Sequence, residues 1–206
     1  DTAYESAISL HKKGIKVEAI IDTREKSNSE FTIEAESLGI KIYKSYTVVD
    51  TGGYKRINKI TIMELSKDGQ SFTSSEKITL NCDCLAIAGG WTPAVHLFTQ
   101  SGGKLKFRDD DQVFIPSIYP SDQVSIGSCN GDFELDDILI NISRTLKEFL
   151  NIKETEYDDL KIKCPKDKEI RNIWLLPSDK VIGKTKPFVD YQNDATAKDI
   201  KLALRE

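Results

Sequence analysis

The first 44 residues alternate between helical and extended patterns, and this alternation constrains the fold more than any other feature of the sequence. Apolar side chains from Thr2 to Lys13 recur at the spacing of a helix with one buried face, which Gly14 ends. A short apolar strand over 17–21 follows, then a second helix that stops at Gly39, and then a second strand. Helices that alternate with strands predict an α/β sheet.

The pattern then changes to three strands joined by turns. Strands are predicted over 45–49, 57–65 and 77–85, with turn sequences at Thr51-Gly52-Gly53 and Asp68-Gly69 between them. The sequence therefore predicts an antiparallel β-meander after the α/β unit.

The apolar run 85–88 indicates a buried strand that stops at the pair Gly89-Gly90. Because glycines permit a positive φ and the close approach of another segment, we interpret this pair as a structural crossover between domains. Short strands are predicted over 113–115 and 123–126, and an amphipathic helix over 135–149.

Composition excludes several classes of partner. Lys and Arg number 29 against 33 Asp and Glu, and a net charge of -4 gives no electrostatic attraction for nucleic acid or an anionic membrane. No apolar stretch approaches the roughly 20 residues that span a bilayer, and no signal pattern opens the chain. We therefore expect a cytoplasmic protein without nucleic-acid or membrane partners.

Cys82 and Cys84 are the residues that most suggest redox or metal chemistry. Alternation within a strand puts both thiols on one face, but a structural zinc site needs four ligands and this pair supplies two. Cys129 and Cys164 lie in separate segments and lack paired spacing. The two histidines have no triad partners in the sequence, so we expect neither a metal site nor a catalytic residue in this chain.

The order of these elements resembles that of the glutathione-reductase-like flavoproteins, which have two dinucleotide domains of Rossmann type. Within that group, four stretches are similar to the α subunit of heterotetrameric sarcosine oxidase. They are DTAYESAISLHKKGIKVEAIIDTR, CDCLAIAGGWTPAVHLFTQSGGKL, IGSCNGDFELDD and KPFVDYQNDATAKDIKLALRE. The resemblance implies a partial two-dinucleotide-domain α/β fold with an antiparallel meander.

The resemblance also implies a division of the chain, which we expect to be an internal fragment. Residues 1–88 correspond to the second nucleotide-binding-like domain with the meander and without its first strand. Residues 89–150 correspond to the C-terminal part of the first dinucleotide-binding domain. A linker follows over 151–185, and 186–206 begin a small ferredoxin-like module.

This module begins with Cys-x-Cys and holds a [2Fe-2S] cluster in related oxidases of opines and in cyanide-forming oxidases. Here Asp190 and Gln192 stand at the two cysteine positions. Because Asp and Gln are poor ligands for iron–sulfur clusters, we expect the module to lack a cluster.

For function, the resemblance implies a flavin-dependent enzyme that oxidatively demethylates sarcosine to glycine and passes the methyl carbon to tetrahydrofolate. The α subunit of that enzyme holds NAD and works with β, γ and δ subunits. FAD and FMN belong to the whole complex, and we expect this segment to hold neither and to be inactive alone. Two alternatives stay open: an NAD(P)H-dependent FAD oxidoreductase, and a non-catalytic scaffold with a vestigial nucleotide fold.

Two places are candidates for nucleotide binding. The glycine loop before the predicted helix 135–149 is the stronger one, because a helix N-terminus attracts a diphosphate. Related flavoproteins usually read Gly-Asp there, whereas here Ser128 follows Gly127, which the resemblance links to NAD in place of FAD. We expect Gly127, Ser128, Phe133 and Leu135 to line this site.

The second candidate is Asp22, at the end of the first predicted strand. A carboxylate at that position binds a ribose in Rossmann units. The segment Asp1-Thr2-Ala3-Tyr4, however, has bulky residues where a dinucleotide turn needs glycine. We therefore expect a structural role for Asp22, with ribose binding as the alternative.

Overall fold

The computed structural model describes residues 1–120, 122–151, 171–178 and 186–205, which belong to two compact units. The first unit contains Asp1–Ala86 and Arg171–Glu206, and the second contains Ile87–Ile170. Within the described residues, no helix is both long enough and apolar enough to cross a membrane.

The first unit opens with the predicted alternation of helices and strands. Helix α1 spans Thr2–Lys12, strand β1 spans Ile20–Asp22, helix α2 spans Glu30–Ser37 and strand β2 spans Ile42–Lys44. Strands β1 and β2 pair in parallel. The predicted α/β arrangement is therefore confirmed.

Local signals explain where the two helices begin and end. Gly14 and Gly39 follow them with φ of +81° and +74°, a conformation that glycine adopts without a Cβ clash. At the start of α2, the Ser29 hydroxyl accepts a hydrogen bond from the Thr32 amide at 3.3 Å. The apolar faces of both helices and the strands form one core cluster, made of Tyr4, Ala7, Ile8, Ile20, Ala35 and Ile40.

A three-stranded antiparallel meander follows in the order β3-β4-β5, as predicted. Strand β3 spans Tyr46–Gly53, β4 spans Ile57–Glu64 and β5 spans Ile78–Asn81. Strand β4 lies in the middle and carries the buried apolar side chains of this sheet, with Ile62 fully buried. The third strand is shorter than predicted, since it ends at Asn81.

The apolar run 85–88 is not the buried strand that its composition predicts. It has an irregular backbone, and Ile87 is 82% exposed. No strand of the described chain pairs with it, so its backbone has no ladder to join. The glycine pair that follows includes a positive φ at Gly90, but a Cβ on either glycine would meet nothing within 4 Å. The predicted close approach is therefore not seen within the described residues.

The second unit begins with α3, His96–Gln100, and contains an antiparallel hairpin of β6, Lys104–Arg108, and β7, Val113–Ile118. Helix α4 spans Leu135–Leu150, close to its predicted bounds. The strand predicted over 123–126 is wrong, because these residues have irregular backbone and pair with no described strand.

The remaining described residues lie in the first unit. Over 171–178, the Arg171 guanidinium donates to the backbone carbonyls of Thr23, Ser66 and Lys67. Strands β8, Phe188–Asp190, and β9, Ala195–Thr196, form a hairpin that leads into helix α5, Ala197–Ala203. Most of the predicted linker, 152–170 and 179–185, lies outside the described residues.

Ile62 provides a test of whether the buried apolar side chains of strand β4 stabilise the first unit. Truncation of this fully buried side chain by Ile62→Ala is expected to lower the free energy of unfolding by about 2–5 kcal/mol, because it removes apolar contacts and leaves a cavity. The matched variant Ile33→Ala, at a side chain that is 61% exposed, is expected to change it by less than about 0.5 kcal/mol. Urea denaturation measures both, and equal losses would contradict the assigned core.

Candidate functional site

The glycine loop that the sequence predicts as a nucleotide site lies between β7 and α4. It begins as one 3-10 turn over Gly127–Asn130, closes at Gly131 and runs on to the start of α4. The Gly131 amide donates to the Ser128 carbonyl at 3.1 Å, and the Asp132 amide donates to the Gly127 carbonyl at 3.2 Å. These two hydrogen bonds fold the segment into a compact loop.

Two glycines give the loop its path. Gly127 is buried with φ of +75°, and Gly131 has φ of +83°. A Cβ at Gly131 would lie 2.8 Å from Cγ2 of Ile115 and 2.9 Å from Nη2 of Arg108, which is too close for a side chain. Glycine is therefore favoured at Gly127 by conformation, and at Gly131 by conformation and close packing together.

The four residues predicted to line the site all belong to this loop and to the start of α4, but they differ in exposure. Gly127 is buried, Ser128 is exposed, Phe133 is half-buried, and Leu135 is 54% exposed as the first residue of α4. Ser128 and Leu135 are thus the predicted residues that a ligand reaches most easily. The role of all four in binding a ligand stays a prediction.

The start of α4 differs from the expected helix N-terminus that attracts a diphosphate. Asp136 and Asp137 occupy its first turn, and the Asp137 amide donates to the Asp136 carboxylate at 2.8 Å. Acidic side chains there satisfy the positive end of the helix dipole, and they repel a further anion. The loop 127–131, rather than the first turn of α4, is therefore the better place for a diphosphate.

An arginine from the neighbouring hairpin holds the loop. Nε of Arg108 donates to Oδ1 of Asp111 at 2.7 Å, while Nη2 donates to the same carboxylate and, at 2.7 Å, to the Gly131 carbonyl. The hydrogen bond from Arg108 lowers the pKa of Asp111, which favours the ionised pair. A second contact joins the Tyr119 hydroxyl to Oδ1 of Asn130 at 3.2 Å.

The sequence analysis did not identify Arg108 and Asp111 as residues of this site. Strand β6 was not predicted, although Leu105 and Phe107 alternate with basic residues along it. That alternation, followed by an acidic turn, is the signal that identifies the hairpin. The contact from Arg108 to a loop 23 residues further along the chain has no local signature.

Asp22, the second candidate, is occupied by groups of its own unit. The carboxylate is 8% exposed and accepts a hydrogen bond from the Tyr4 hydroxyl at 2.8 Å. The Arg24 amide donates to it at 2.9 Å, and the Arg24 guanidinium donates to both of its oxygens. Arg24 also bonds to the Asp1 carboxylate at 2.8 Å and to the Ser27 hydroxyl at 3.2 Å.

This arrangement favours the structural interpretation of Asp22. Burial, and then the hydrogen bond to Asp22, raise the pKa of Tyr4, so its hydroxyl remains a donor. With Tyr4 and Arg24 bound to it, the carboxylate has little capacity left for the two hydroxyls of a ribose. The cluster instead ties the end of β1 to the start of α1.

The two thiols of the Cys-x-Cys pair lie beyond β5 and not within it. The premise that strand alternation puts Cys82 and Cys84 on one face is therefore wrong, because the strand ends at Asn81. Burial and the charge of Asp83 raise the pKa of Cys82, which disfavours a reactive thiolate. Across the residues that the structure describes, no three His, Cys, Asp or Glu side chains are grouped to hold a metal ion.

Asp190, at one of the two expected cysteine positions, has a structural role in the β8–β9 turn. Its carboxylate accepts from the Gln192 amide at 2.8 Å, and from the Asn193 side-chain amide at 2.7 Å. These contacts form an Asx-type turn. The absence of a cluster from this module stays a prediction.

Tyr4→Phe tests whether the hydrogen bond from the Tyr4 hydroxyl to the buried Asp22 carboxylate stabilises the first unit. Loss of a buried hydrogen bond to a carboxylate is expected to lower the free energy of unfolding by about 1.5–3 kcal/mol. Tyr54→Phe, at a side chain that is 98% exposed, is the control and is expected to have an effect below about 0.5 kcal/mol. If both variants unfold at the same urea concentration as the parent chain, Tyr4 does not hold Asp22.

Comparison with known proteins gives relatives that share nearly the whole length of the chain. Sarcosine oxidase subunit alpha of Corynebacterium sp. (strain P-1) is 29% identical over an alignment of 211 positions, which covers 97% of this chain and 21% of that protein. The subunit of Rhizobium meliloti (strain 1021) is 28% identical over an alignment of 218 positions, which covers 100% of this chain and 20% of that protein. The chain thus spans about a fifth of the length of these curated relatives.

Solved structures give weaker likenesses. Thioredoxin reductase of T. acidophilum has a TM-score of 0.48 at 18% identity, over 71% of this chain and 47% of that one. L-proline dehydrogenase of P. horikoshii has a TM-score of 0.38 at 22% identity, over 64% and 26%. No protein-family model matches the chain. The sequence relatives are therefore the informative comparison, and they confirm the resemblance: along nearly its whole length this chain is similar to one segment of the sarcosine oxidase α subunits.

Proposed function

We propose that the chain is the part of a sarcosine-oxidase-type α subunit that scaffolds the subunit and holds NAD. The observation that carries the proposal is its similarity, at 26–29% identity, to the named α subunits over 97–100% of its length. Similarity over nearly the whole chain supports the same arrangement of elements as in those subunits. Residues 1–88 then act as the second nucleotide-binding-like domain and 89–150 as part of the first, with a linker over 151–185 and a small module over 186–206.

The glycine loop supports NAD as the ligand. Ser128 is exposed and follows Gly127, a buried glycine with a positive φ, whereas related flavoproteins usually have an aspartate directly after this glycine. The competing site at Asp22 is filled by Tyr4 and Arg24. Of the two candidates, the loop is therefore the one open to a dinucleotide.

The hydrogen-bond donor and the positive charge at the loop fit a diphosphate that lies along the backbone of residues 127–131. Ser128 offers a hydroxyl, and the positive charge of Arg108 stands beside the Gly131 carbonyl. When bound, NAD supplies a nicotinamide that accepts hydride. The part of this chain is to bind and orient the dinucleotide, with Phe133 and Leu135 as the apolar flank of the site.

The whole enzyme, on this proposal, oxidatively demethylates sarcosine to glycine and transfers the methyl carbon to tetrahydrofolate. It does so in the cytoplasm, as a complex with β, γ and δ subunits that carries FAD and FMN outside this segment. The segment supplies binding and scaffolding and is inactive by itself.

The nucleotide content of the intact protein tests the proposal. The protein is purified with its natural partners and denatured in acid, and the supernatant is analysed by mass spectrometry. We expect close to one NAD per chain. FAD without NAD would instead support an NAD(P)H-dependent flavoprotein, and no nucleotide at all would support a non-catalytic scaffold.

Ser128→Asp localises the ligand within the same measurement. A carboxylate at this position is expected to lower the NAD content at least about tenfold by charge repulsion with the diphosphate. The control Ser143→Asp puts the same charge two helical turns into α4 and is expected to leave the content unchanged. If Ser128→Asp retains full NAD, the nucleotide lies elsewhere.

A further inference from the structure

We infer that Arg108 is the positioning residue of the glycine loop 127–131, and that nucleotide binding there depends on its hydrogen bond to Gly131. This inference rests on the proposed function, because the loop is the proposed NAD site.

The orientation of the Arg108 guanidinium is fixed by its own hairpin. Arg108 is the last residue of β6, and Asp111 lies in the turn to β7. Asp111 accepts from both Nε and Nη2, a two-pronged contact that restrains the guanidinium plane. The arginine therefore acts as a rigid extension of the hairpin, with the other N–H of Nη2 left for a second partner.

That second partner is the backbone of the loop. Nη2 donates to the Gly131 carbonyl at 2.7 Å, at the residue where φ of +83° closes the loop. A Cβ at Gly131 would lie 2.9 Å from the same Nη2 atom, so the contact exists because this residue is glycine. The guanidinium thus sets the position of the peptide at which the chain turns from the 3-10 segment toward α4.

Arg108 also supplies positive charge to an acidic stretch. The hydrogen bond with Asp111 raises the pKa of the guanidinium, and the charges of Asp132 and Asp110 raise it further. The residues from 132 to 137 include Asp132, Glu134, Asp136 and Asp137. A diphosphate near the loop meets less repulsion with a fixed cation beside Gly131 than without one.

A purely structural role for the hairpin predicts different behaviour. Phe107 precedes Arg108 and packs edge to face on Phe114 across the hairpin, with ring centroids 5.1 Å apart. If the loop needs only a stable hairpin, loss of this aromatic pair should damage the loop as much as loss of the arginine. If the loop needs the hydrogen bond from Arg108, loss of the arginine should damage the loop more than loss of the aromatic pair.

The experiment compares Arg108→Ala, Arg108→Lys and Phe107→Ala in the intact protein with its natural partners. NAD per chain is measured after acid extraction, and amide hydrogen exchange is followed over 127–132. We expect Arg108→Ala to lower NAD content about tenfold and to speed exchange of the loop amides. Arg108→Lys keeps the positive charge on a single donor nitrogen, so its NAD content and its amide exchange should lie between those of Arg108→Ala and the parent. Phe107→Ala should lower the melting temperature and leave NAD content close to that of the parent.

The outcomes separate the inference from the proposed function. A parent protein without NAD would refute the proposed function, and the exchange data would still decide the role of Arg108. Unchanged exchange over 127–132 in Arg108→Ala would overturn the inference, as would an equal loss of NAD in Phe107→Ala. Should the alanine variant fail to fold, Arg108→Lys is the variant that tests the inference. Amide exchange and NAD content identical to the parent's would show that a positive charge at this position is sufficient. That result would overturn the requirement for the bidentate contact of the guanidinium with Asp111.

Discussion

The hydrogen bond from the Arg108 guanidinium to the Gly131 carbonyl is the interaction on which the candidate site depends. It joins the hairpin to the loop, which is otherwise held by its own short-range hydrogen bonds and by the contact from Tyr119 to Asn130. Asp111 holds the guanidinium in one plane, and Gly131 admits it because no Cβ is present. Gly131 and the Arg108–Asp111 ion pair thereby constrain the backbone where the loop turns toward α4.

The two candidate nucleotide sites, Asp22 and the loop 127–131, differ in how far their polar groups are occupied by the protein's own side chains. In the first unit, the Asp22 carboxylate is bound by Tyr4 and Arg24, so this part of the α/β unit is closed by its own side chains. In the second unit, Ser128 is exposed on a loop whose shape is already set by its neighbours. Preorganised backbone with accessible groups is what a tightly held dinucleotide requires. The physical contrast between the two places, and not the presence of a motif, favours the loop.

Much of the fold was predictable because its signals are local. Gly14 and Gly39 end helices by their own conformational preference, and the amphipathic period places α4 almost to the residue. Predictions that depend on distant partners were less successful. The run 85–88 is apolar enough for a strand, but a strand also needs a neighbour for its backbone hydrogen bonds, and composition carries no information about that neighbour. For the same reason the sequence located the glycine loop but missed Arg108, whose role depends on a contact between segments 23 residues apart.

Photoaffinity labelling distinguishes the loop 127–131 from Asp22 as the place where the nucleotide binds. The intact protein, stripped of bound nucleotide, is incubated with an NAD analogue that carries an azide on the adenine, irradiated and digested with trypsin. Residues 109–144 contain no lysine or arginine before Arg144, so the loop and the start of α4 fall in one tryptic peptide. We expect this peptide to carry the label and excess NAD to prevent the labelling. Labelling of the peptides within residues 1–24 in its place would put the nucleotide at Asp22 and not at the loop.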